Sequence, residues 1–190
     1  MDGARFKGHV IVSEAPEQDL SFPPILYRKR GRLFLPDGSP VGKEALLRRG
    51  KVLHDSKNLI TQLGRSRYAE LGCGLSADFP SWIAVGDGGL ESGTSAAKIP
   101  ADDATELEHE ISRIAVSQRI LNTDEIPSMT WVAVFKTAGS YQFAQAGQTQ
   151  ISEVGLFCRD DVMTNVHNYA PIPVDVHRIG VLVEWEVAIL

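Results

Sequence analysis

The chain holds only two cysteines, Cys73 and Cys158, among 190 residues. That scarcity excludes a disulfide-dense secreted scaffold. The spacing leaves one bridge conceivable, but two free, partly buried thiols are expected. Long apolar runs are also missing. No stretch approaches the ~20 residues that span a bilayer, so no membrane partner is expected. The opening, Met1 to Val12, lacks the basic flank and the apolar core of about 7–15 residues that mark a signal peptide, which points to synthesis in the cytoplasm.

Charge is present but unevenly spread. Residues 1–70 carry 13 Lys and Arg against 8 Asp and Glu, a net of +5. Residues 71–190 carry 6 against 16, a net of −10. A basic front and an acidic body suggest two surfaces with different partners, although imbalance also simply keeps a chain soluble.

The front, residues 1–50, reads as an extended basic N-terminal arm. It contains Pro16, Pro23, Pro24, Pro36 and Pro40 and one plausible strand at His9–Ser13. Proline removes amide donors and favours extended backbone. Its basic run, Arg28, Lys29, Arg30 and Arg32, followed by Phe34, is the candidate docking element. Phosphate binding needs little more than positive charge, but the whole chain is acidic and no recognition module is visible. An acidic protein surface is therefore the expected partner, rather than nucleic acid.

Residues 51–190 read as one β-sandwich domain with a leading helix. Lys43–Arg49 is a short helical candidate ending at Gly50. Ser56 reads as the cap of the leading helix, which runs through Leu59, Ile60, Leu63, Tyr68 and Leu71 to the stop at Gly72. Strands follow at Ser81–Val85, Ile111–Ile120, Thr130–Lys136, Gln150–Cys158 and Val181–Leu190. In the last, Val181, Val183, Trp185, Val187 and Ile189 alternate with Leu182, Glu184, Glu186 and Ala188. That period of two puts Trp185 in the core, and Phe157 occupies a similar apolar strand. The fold class is mainly β, an antiparallel sandwich.

Candidate chemistry does not add up to a site. His109-Glu110 opens like a zinc-protease helix, but position 113 is Arg instead of the second His. Gly88–Gly93 has phosphate-loop glycines without the lysine. His54-Asp55-Ser56 are chain neighbours, which cannot converge as a catalytic triad does. His167 and His177 have no further ligand at metal spacing. No catalytic residue, cofactor or metal is expected, and the chain does not read as an enzyme. Glu153 and Arg113 either pair across strands and fix the register, or stand as separate surface charges. Gly155, inside a strand, marks a bulge or a close approach.

Several segments in order carry a resemblance. They are Lys57-Asn58-Leu59-Ile60-Thr61, then Trp82-Ile83-Ala84-Val85-Gly86-Asp87-Gly88, then Thr105–Arg113, then Ile151-Ser152-Glu153-Val154-Gly155-Leu156-Phe157, and the closing strand with Trp185. Over residues 56–190 the chain resembles short virion proteins of tailed bacteriophages and the domain near the start of some tail-fibre or collar proteins. The resemblance implies a structural component of the tail, neck or collar. It would be located in the virion, homo-oligomeric, and docked to other virion structural proteins. A capsid decoration (cement) protein is the alternative, and a surface glycan-binding or fibre-attachment module the second. Glycan binding calls for loop aromatics, whereas Trp82, Trp131 and Trp185 all fall in strands.

Overall fold

The computed structural model describes residues 6–16, 22–76, 78–135, 150–174 and 180–189. The chain is mainly β. Its strands are β1 (Phe6–Ala15), β2 (Ile25–Lys29), β3 (Arg32–Phe34), β4 (Pro40–Val41), β5 (Val52–Ile60), β6 (Pro80–Gly86), β7 (Glu110–Ala115), β8 (Gln118–Asn122), β9 (Ser128–Phe135), β10 (Gln150–Cys158), β11 (Met163–Pro173) and β12 (Gly180–Ile189). Among the described residues one α-helix, α1 (Gln62–Gly72), follows β5.

All twelve strands join in one hydrogen-bonded sheet, ordered β4-β3-β2-β8-β9-β12-β1-β5-β11-β10-β6-β7. Every pairing is antiparallel except β2 with β8. The sheet turns a corner at β5. Most of that strand pairs with β1, but its last two residues, Leu59 and Ile60, pair with Val166 and Asn165 of β11. The turn lets the inward faces meet. Val10, Val12, Trp131 and Trp185 from one side share a core with Ile83, Val85, Val154 and Leu156 from the other.

The alternation in β12 is as the sequence predicts: Val181, Val183, Trp185 and Val187 are buried in that core. Trp185 lies directly across from Trp131 of β9, and cross-strand aromatic pairs stabilise a sheet beyond their buried area. Trp82, by contrast, faces outward from β6 at 37% exposure.

The front of the chain departs from the expected extended arm. β1 lies between β12 and β5, with Val10 and Val12 fully buried. Only a few alternating residues are visible there because Lys7, Gly8 and Glu14 interrupt the pattern. The long partners on both sides supply the rest. The parallel β2–β8 pairing then fastens β2, β3 and β4 to the sheet. Lys43–Arg49 shrinks to a single 3-10 turn at Lys43–Ala45.

The leading helix begins later than Ser56. Val52–Ile60 is strand, and Thr61 is the cap. Its Oγ1 accepts from Gly64 N at 2.9 Å and donates to Met163 O at 2.7 Å. One hydroxyl thus caps the helix and fixes it to β11. Gly64 permits the approach, since a Cβ there would lie 2.0 Å from Thr164 O. Cys73 is exposed and Cys158 buried, and both are free thiols.

Candidate functional site

The basic run forms a tight hairpin. Lys29 pairs with Arg32, leaving Arg30-Gly31 as a two-residue loop. Both loop residues have positive φ, 51° for Arg30 and 70° for Gly31. That is the primed turn whose twist suits a hairpin. Glycine tolerates it freely, whereas an L side chain such as Arg30 is strained by roughly 1–2 kcal/mol. The β8–β9 loop holds it there. Asp124 accepts a hydrogen bond from Arg30 N. Thr123 N donates to Arg28 O at 2.9 Å, and Thr123 Oγ1 donates to the same oxygen at 3.2 Å. At the hairpin root Leu26 and Leu33 are buried.

The backbone is braced, yet among the described residues its cations make no ion pair. Lys29, Arg30 and Arg32 are exposed and line an open groove with half-buried Phe34. Among the described residues none of the four cations Arg28, Lys29, Arg30 and Arg32 has a carboxylate within ion-pair distance. Several arginines elsewhere meet carboxylates. Arg49 meets Glu184 at 2.5 Å, Arg65 meets Asp102 at 2.7 Å, and Arg67 meets Asp160 at 2.5 Å.

A second feature escaped the sequence reading. An apolar cleft of about 240 Å³ opens between α1 and the sheet, walled by Phe6, Tyr68, Leu71, Phe79, Met129 and Trp131. Next along the chain from its walls, Leu75 is 79% exposed and Ile126 53%. The helical spacing of Tyr68 and Leu71 was a signal, but it does not distinguish a filled core from an open wall.

Glu153 and Arg113 do not meet. Glu153 is 1% exposed. Its carboxylate accepts from three backbone amides: Gly88 N at 3.0 Å, His109 N at 2.8 Å and Glu108 N at 3.0 Å. Those donors satisfy a buried anion without a cation, and they join the glycine loop 86–89 to residues 108–109. Arg113 instead lies over the Phe157 ring, 3.9 Å from its centroid, and bonds Glu110 at 2.6 Å and Asp161 at 2.8 Å. Gly155 marks a close approach. A Cβ there would come 2.6 Å from Phe157 and 3.1 Å from Leu107.

The histidines resolve in the same way. Asp55 pairs with His9 at 2.6 Å, not with His54. Beyond the two β5–β11 backbone pairs the strands part, and His54 Nε2 meets His167 Nε2 at 2.8 Å across the seam. Tyr169 stacks on His54 at 4.9 Å. Burial holds His54 below its ordinary pKa, and burial with the neighbouring His54 pushes His167 down to about 4. Both rings are neutral at pH 7, one donating its proton to the other. Further along the seam, the Asn165 amide oxygen accepts from Trp185 Nε1 at 3.2 Å and Asn58 Nδ2 at 2.7 Å, and its nitrogen donates to Tyr68 Oη at 2.7 Å. His109 pairs with Asp87, which raises its pKa. His177 lies outside the described residues. Among the described residues no three His, Cys, Asp or Glu side chains are placed to hold one metal ion.

The chain matches no family model, no curated protein and no solved structure.

Proposed function

We propose that the chain is a structural component of a tailed phage particle, in its tail, neck or collar, and that it works by docking to neighbouring virion proteins. The phage assignment rests on the resemblance of residues 56–190. The docking assignment rests on one observation: a hairpin whose backbone is fixed by Asp124 and Thr123 while, among the described residues, the exposed Lys29, Arg30 and Arg32 make no ion pair. A rigid element with unengaged charge loses little entropy on binding and steers an acidic partner toward it.

The test is the particle itself. Virions propagated from the genome that encodes the chain are purified and the chain is counted by quantitative mass spectrometry. A fixed number of copies per particle is expected, with particle assembly failing when the gene is interrupted. Absence from purified particles, or normal particles without it, removes the assignment.

A further inference from the structure

We infer that the partner of the basic hairpin is the acidic 87–110 loop of a second copy of this chain, so that copies join head to tail. This rests on the docking role proposed above and names what is docked.

The hairpin and the acidic loop belong to opposite ends of the strand order. β2 and β3 lie beside terminal β4, while the 87–110 loop runs from β6 into terminal β7. The loop carries Asp87, Glu91, Asp102, Asp103, Glu106, Glu108 and Glu110. Four are occupied within the chain: Asp87 by His109, Asp102 by Arg65, Glu108 by Lys98 and Glu110 by Arg113. Glu91, Asp103 and Glu106 are exposed and, among the described residues, have no ion pair. They match in number the exposed, unpaired Lys29, Arg30 and Arg32.

Both elements are held in place by groups other than these charges. The hairpin is held by Asp124, Thr123 and buried Leu26. The loop is held by buried Leu107, by Glu153 bonding Glu108 N and His109 N, and by Gln62 N donating to Asp102 O at 2.8 Å. Two preorganised, oppositely charged surfaces at different places on one chain make a heterologous contact, which closes into a ring or runs on as a filament. The contact is made by side chains. Terminal β4 is two residues long and begins with Pro40, while terminal β7 carries Glu110 and Arg113, and short, proline-bearing or charged edges resist strand addition. Nucleic acid fits less well, because the same chain brings a strongly acidic body toward the phosphates.

The experiment is a charge swap read by sedimentation velocity. One variant carries Arg30→Glu and Arg32→Glu, the other Asp103→Lys and Glu106→Lys. The native chain should associate at about 0.01 M salt, where the Debye length is about 30 Å, and dissociate at about 1 M, where it is about 3 Å. Each variant alone should associate at least tenfold more weakly at low salt. An equimolar mixture of the two should recover the native association, because each then offers the charge the other lacks. Thermal melts by circular dichroism accompany each variant, and loss of association counts only with an unchanged melt. Should a pair melt early, the milder Arg32→Gln and Glu106→Gln replace it, with at least a threefold loss expected from each. A native chain that stays monomeric at low salt, variants that associate like the native chain, or a mixture that does not recover overturns the inference. So does retention of duplex DNA by a hairpin that shows no self-association. A monomeric chain still found in particles overturns this inference alone. A self-associating chain absent from particles overturns only the phage assignment.

Discussion

Glu153 and the Arg30 hairpin show opposite uses of charge. Glu153 is buried and receives three backbone N–H bonds, so its charge is consumed in holding two loops together. Around Arg30 it is the backbone that is held, by Asp124 and Thr123, and the exposed Lys29, Arg30 and Arg32 make no ion pair among the described residues. A charge satisfied by its own chain is a folding element. A charge carried on a fixed backbone and left unsatisfied is available to something else. The two regions should therefore respond differently to substitution.

The largest effect belongs to Glu153. Glu153→Ala strands three amide donors where the carboxylate stood, and unsatisfied buried polar groups cost about 1–3 kcal/mol each, less than additively. A loss of about 3–5 kcal/mol in chemical denaturation is expected. A loss below about 1 kcal/mol would put Glu153 in the same class as the hairpin.

The His54–His167 seam lies between the two cases, being internal but titratable. The folded pKa of His167 is depressed to about 4 from 6.5. The unfolded chain therefore binds the proton more readily, and stability falls as pH drops from 6.5 to 4. His54, also depressed by burial, adds in the same direction. Asp55 is the carboxylate that opposes this, by favouring the charge on His54. The full shift would exceed 3 kcal/mol, but partial exposure screens it, and about 2 kcal/mol is expected. Denaturant midpoints at pH 7 and pH 4.5 measure it, and His167→Gln should flatten the slope.

The smallest effect has the opposite sign. Arg30→Gly relieves a positive φ, so it should stabilise the fold by about 0.5–1 kcal/mol, after allowing for the greater freedom of glycine in the unfolded chain. The same change should weaken docking. Stabilisation together with lost association would sharpen the contrast with Glu153. Destabilisation on thermal melting would show that the Arg30 side chain itself supports the fold.

What the sequence carried was local. Alternation in Val181–Val187 identified β12 and its buried face, because side chains in a strand point to opposite sides whatever the neighbours. The helix stop at Gly72 is likewise a property of a few adjacent residues. The docking residues Arg28, Lys29, Arg30, Arg32 and Phe34 were legible as a basic run. That they sit on a braced hairpin, without carboxylate partners among the described residues, was not. The apolar cleft was also out of reach, because its walls come from α1, β1 and β9.

Partner identity was decided by tertiary structure. Glu153 and Arg113 looked like a pair because opposite charges in strands attract, but register set Glu153 against Gly86 and its amide-rich loop, and Arg113 against Ala84. His54 and His167, 113 residues apart, meet because β5 turns the sheet and hands over from β1 to β11. The front of the chain became a central strand because β12 pairs along its length and β5 along its middle. Strand order and register depend on distant segments closing against one another, and no short stretch of sequence contains that information.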